Sequence, residues 1–161
     1  MKTFIKTDIK IFNNNNLIAS TEIQDTFNKI FQFSPDADYY LLKGNIFRIF
    51  REHDIFATIH RRDNHFTEDK LKQRDVYVYD IIFNTVFGLQ NITNFDRKHS
   101  IELWGDGWNE ILPSLYWNTY EEAENACIKK VFDVLLNFKY IKKHGIKFPK
   151  EFMKHLETLG Q

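Results

Sequence analysis

The chain is poor in the residues that mark several functional classes. A single cysteine among 161 residues excludes an internal disulfide framework and a cysteine-built zinc site. No stretch approaches the roughly eighteen apolar residues that a membrane helix needs, and Met1 to Lys6 is not followed by the apolar run of a secretory leader. Net charge is missing as well. Twenty-two Lys and Arg balance 22 Asp and Glu, which removes the bulk attraction that general nucleic-acid binders use. The setting expected from these absences is reducing and cytoplasmic, with no membrane partner.

What is present suffices for a core. Hydrophobic residues are 43% of the chain and charged residues 27%, the balance of an ordinary folded domain rather than a disordered one. Sixteen phenylalanines stand against six glycines and three prolines, so few positions can bury a large area. The length fits one domain spanning residues 1–161.

Periodicity then assigns elements. Ile5, Ile9 and Ile11 alternate with charged residues as a strand closed by the Asn13 to Asn16 tract. Thr21 and Gln24 read as a capping box for a helix burying Ile23, Phe27 and Ile30, to about Phe33. Ser34-Pro35 restarts a helix through Tyr39, Leu42, Ile46, Ile49 and Phe50 to His53, with Gly44 as its weak point. Two strands follow, Ile55 to His60 ending in Arg61-Arg62-Asp63-Asn64, and Val76 to Ile82, with Asp63 to Arg74 as a polar connection between them. Residues 88–99 read as an irregular loop. Ile101 to Trp104 and Trp108 to Ile111 read as strands about an Asp106-Gly107 turn. Thr119 to Glu122 is a second capping box, opening a helix whose buried stripe is Tyr120, Ala123, Cys127, Val131, Val134 and Leu135. Gly145 ends that helix or a short continuation, and Pro149 begins a last one closed by Gly160. The fold expected is a single α+β domain, an antiparallel sheet of three to five strands with helices on one face.

Three segments carry a resemblance. Phe50-Arg51-Glu52-His53-Asp54-Ile55, Tyr77-Val78-Tyr79-Asp80-Ile81, and Tyr116 followed by Asn118-Thr119-Tyr120-Glu121-Glu122-Ala123 look like small bacteriophage and prophage proteins. Those read Leu-Arg-Glu-Lys-His-Asn/Asp-Ile before a strand and Thr-Tyr-Glu-Glu-Ala opening the last helix. The resemblance covers roughly residues 47–136 and implies a phage context without an activity. The insertion from Phe83 to His99 and the tail after Leu136 depart from that pattern. The order helix, three strands, helix also matches the double-stranded RNA-binding domain. That domain reads phosphates with lysines where this chain carries Glu121, Glu122 and Glu124, which excludes duplex RNA binding by that mode.

Candidate chemistry is sparse. His60, Asp63 and His65 are ligand types, but Arg61 and Arg62 between them oppose a dication, so a solvated segment is expected and no metal. His53 and His99 fall at element boundaries without a sequence partner. Cys127 lies on the apolar stripe and reads as a small hydrophobe rather than a nucleophile. Asn91-Ile92-Thr93 matches a glycosylation sequon, which the expected compartment makes accidental. No phosphate loop, dinucleotide fingerprint or hydrolase elbow occurs, so no catalytic residue and no cofactor is assigned.

Two surface features remain. Trp104, Trp108, Tyr116 and Trp117 gather large aromatics about one predicted hairpin, either as a satellite core or as a partner-binding patch. Lys139, Lys142, Lys143, Lys147, Lys150 and Lys154 form a basic run, either a solvated face or a nucleic-acid contact. The leading expectation is a non-enzymatic phage accessory protein that binds a host protein through the aromatic cluster and so inhibits host defence. The rivals are a nucleic-acid contact through the lysines, a small metal enzyme at His60, and a homodimer paired through sheet edges.

Overall fold

A computed structural model describes residues 19–32, 41, 43–66, 73–92 and 116–160, with positions 63–66, 73 and 74 described by their backbone alone. Among the described residues are five helices and one three-stranded antiparallel sheet, the single α+β arrangement. The elements are α1 (Thr21–Phe31), α2 (Lys43–Glu52), β1 (Ile55–Phe66), β2 (Gln73–Thr85), β3 (Gly88–Asn91), α3 (Tyr120–Leu135), α4 (Phe138–Lys143) and α5 (Lys150–Leu159).

Local chemistry explains most of the boundaries. Ser20, one residue before the expected Thr21, caps α1, its hydroxyl accepting from the Ile23 amide at 3.3 Å. The Gln24 side chain instead donates to the Ala19 carbonyl at 2.7 Å, a variant of the reciprocal box that sequence spacing suggests. Helix α2 is described from Lys43, and the Ser34-Pro35 start expected for it lies outside the described residues. Leu41 is buried and non-helical, and its carbonyl takes the Ala19 amide at 3.0 Å, which ties the segment before α2 to the start of α1. Gly44 therefore falls in the first turn, where its lack of helix propensity matters least. Thr119 caps α3 as predicted, accepting from the Glu122 amide. Asn137 then caps the short α4 and Gly145 adopts φ 63° beyond it.

The strands are longer than the sequence pattern shows. Backbone pairing carries β1 to Phe66 and begins β2 at Gln73, so both ends of the expected polar connection belong to the sheet. A register shift between Arg62 and His65 breaks the alternation there, which hides the strand from a period-two reading. Residues 88–91, expected in an irregular loop, are the third strand. The strand expected at Ile5 to Ile11, the two about Asp106-Gly107, and Trp104, Trp108 and His99 lie outside the described residues.

Helices cover one face of the sheet. Ile55 and Ala57 of β1 pair with Phe83 and Ile81 of β2, and α3 packs across both strands while α2 packs on β1. Phe31 and Phe152 stack at 5.3 Å between ring centres, and the His53 ring lies 4.5 Å from that of Phe152. His53 thereby packs partly buried against the core, its Nδ1 within hydrogen-bond distance of the Ile49 carbonyl. Cys127 is fully buried and burial pushes its thiol well above the usual range. Tyr120 departs from the predicted stripe. It stands half exposed at the start of α3, its ring edge-on to Tyr77.

One ion pair is enclosed among these helices. Lys43 of α2 meets Glu124 of α3 at 3.3 Å, both buried. Burial holds the Glu124 carboxyl above its ordinary range, and the Lys43 ammonium pulls it back only in part.

Candidate functional site

The side of the sheet turned away from the helices is built from the other half of each strand. Along β2 these positions are Val76, Val78, Asp80, Ile82 and Asn84. Their partners are Arg62, His60, Thr58 and Phe56 on β1, with Asn91 and Leu89 on β3.

One end of this face is closed. Tyr77 and Trp117 exchange both backbone hydrogen bonds at 2.8 Å, which lays the segment before α3 along β2. Alternation then points Trp117 to the helix side, where its ring stacks on Tyr79 at 4.8 Å. Tyr116 points to the other side and forms a small buried cluster with Val76 and Val78. At 8% exposure Tyr116 is a satellite-core residue, and Trp117 is half buried.

The middle of the face is polar. Asp80 receives the Asn91 side-chain amide at 2.8 Å on one oxygen and bonds to His60 Nε2 through the other. His60, the first of the three residues weighed as metal ligands, is thus engaged by a carboxylate across the strands. The side chains of Asp63 and His65 lie outside the described residues, as does any meeting of the three. On the helix side at the same end, Arg61 pairs with Asp75.

The other end is open and apolar. β2 turns into β3 through Val86 and Phe87, with Thr85 opposite Gly88. The Thr85 hydroxyl accepts from the Phe87 amide at 3.1 Å and donates to the Gly88 carbonyl at 2.8 Å, and Gly88 adopts φ 94°, where a side chain would be strained. Phe87 is 81% exposed, Leu89 66% and Val86 57%. Phe56, one step along the face, is 38% exposed.

This tip is held firmly from below. The Val86 amide donates to Gly145 at 2.9 Å and the Lys147 amide to Asn84 at 2.7 Å, so Ile146 continues the β1 position of the sheet opposite Thr85. Gly145 has no room for a side chain, since a Cβ there would lie 2.6 Å from Val86 Cγ2. The lysine run is divided by the same geometry. Lys143 and Lys147 flank Gly145 and the tip, whereas Lys139 and Lys142 line a groove of about 360 Å3 between α4 and α5 that also holds Glu157. Lys142 leans over the Phe138 ring at 5.9 Å. Lys150 and Lys154 are exposed on α5.

Sequence reading missed the tip because residues 83–99 looked like an insertion. The signal was available. Val86, Phe87 and Leu89 about Gly88, bounded by Asn84 and Gln90, continue the strand pattern through a turn at a glycine.

No protein-family model, curated protein or solved structure matches the chain. No helix among the described residues is long and apolar enough to cross a membrane.

Proposed function

We propose that the protein is a non-enzymatic accessory protein of phage type that acts by docking on a component of a bacterial host. The observation that carries this reading is the Val86, Phe87 and Leu89 tip. Three apolar side chains stand in water on a turn whose backbone is fixed by four hydrogen bonds. A loose loop could fold such residues away, whereas this one is built to present them. On this reading the docking surface is the β2–β3 tip; Trp104 and Trp108 of the aromatic cluster lie outside the described residues. Interference with host defence is the consequence expected of a phage protein that occupies a host component.

The test is retention on immobilised protein from a bacterial extract separated into soluble and membrane fractions. Phe87→Asp with Leu89→Asp should lower retention at least about tenfold, at an unchanged melting temperature. Equal retention by the variant and the native chain would overturn the reading.

A further inference from the structure

The chemistry beside the tip bears on what it docks against. Residues 138–150 contain Lys139, Lys142, Lys143, Lys147 and Lys150 and no Asp or Glu, and residues 81–90 carry no charge at all. The tip and this basic segment are joined by the Val86–Gly145 and Asn84–Lys147 backbone bonds, so Lys147, and Lys143 two residues before Gly145, belong to the segment that flanks the exposed apolar residues. Both lysines are exposed.

Resting on the docking reading above, we propose that Val86, Phe87 and Leu89, with Lys143 and Lys147 on the flanking segment, form a peripheral contact for an anionic phospholipid bilayer. The charge beside the apolar residues favours this occupant. Exposed apolar side chains stand next to exposed cations, and neither residues 81–90 nor residues 138–150 carry an acidic group. That pairing matches a bilayer boundary, where acyl chains lie beside phosphates. A nucleic-acid strand presents phosphates outermost, and it would place Val86 and Leu89 against charge. No spanning helix is needed, so the contact is compatible with the absence, among the described residues, of a helix long and apolar enough to cross a membrane.

Flotation of the full chain with vesicles decides the matter. The chain should float with equimolar phosphatidylcholine and phosphatidylglycerol and stay behind with phosphatidylcholine alone. Lys143→Glu with Lys147→Glu should weaken binding by more than the roughly fivefold expected for each lost lysine, since charge is reversed. Phe87→Asp should abolish flotation while the melting temperature holds, and added salt should weaken it. Absence of flotation, or flotation indifferent to Phe87→Asp, overturns the proposal. So does tighter binding of a DNA or RNA oligonucleotide through the same residues, or a dimer in light scattering that Phe87→Asp dissolves. If vesicles fail while retention on the soluble extract still depends on the tip, the lipid inference falls and the docking reading stands. If neither depends on the tip, both fall.

Discussion

The two ends of one sheet face have opposite fates. At the Val76 end, a segment arriving before α3 pairs with β2 and drops Tyr116 onto the valines, so the face becomes core. At the Val86 end, the incoming segment about Gly145 pairs with the same strand but brings Ile146 to the helix side and Gly145 and Lys147 to the other, and the apolar residues of the tip stay in water. Both segments satisfy backbone groups of β2. Both also set the paired residue, Trp117 or Ile146, on the helix side. What differs is the residue beside it on the outer face, Tyr116 at one end and Gly145 or Lys147 at the other. Burial of an apolar strand residue is thus decided by the side chain its neighbour supplies as much as by its own hydrophobicity.

Substitution of one charge at each end breaks or sharpens this contrast most strongly. Val76→Asp should lose about 4 kcal/mol in urea denaturation because it buries an unpartnered carboxylate, whereas Phe87→Asp should stay within about 0.5 kcal/mol. Similar losses would erase the distinction between the ends.

The helix side supplies the next comparison, because its ion pair is enclosed. Lys43→Met leaves Glu124 buried without its cation and should cost about 3 kcal/mol. Glu124 also gives this side a pH signature. Its folded pKa lies above the ordinary carboxylate value, so the native state holds the proton longer than the unfolded chain does. That contribution to stability is complete below the ordinary value and is lost as pH rises through the raised one. Stability should fall across that window in the native chain, and Glu124→Gln should flatten the slope in denaturation at stepped pH.

A smaller loss, about 2 kcal/mol, is expected of Gly145→Val, which meets both φ 63° and Val86 Cγ2. Hydrogen exchange at the Val86 amide should quicken with it. The smallest effect belongs to the polar middle, where Asp80→Asn should change stability by under about 1 kcal/mol because the His60 pair is solvated.

Much of the fold was legible in the residues because capping and periodicity are local. Thr119, Cys127 and the α3 stripe, Pro149 and Gly160 are read from neighbours within one or two turns. The third strand was not, since Gly88 to Asn91 becomes a strand only by pairing with residues 82–85. Tyr120 was misplaced for a related reason: it fits the stripe by spacing, yet it stands at the first turn of α3 beside Tyr77. The exposed tip shares that origin, because it is formed only where residues 85–88 turn and residues 145–147 pair with β2 from far along the chain. Tyr116 and Trp117 are adjacent in sequence and part to opposite faces, which composition alone does not reveal.

Thiol labelling tests the asymmetry of the face most directly. The one native cysteine, Cys127, is buried with its thiol held protonated, so a maleimide should report only an introduced cysteine. Phe87→Cys should label at nearly the rate of an unstructured peptide and Val76→Cys should be protected until the chain unfolds. Comparable rates at the two positions would contradict the account.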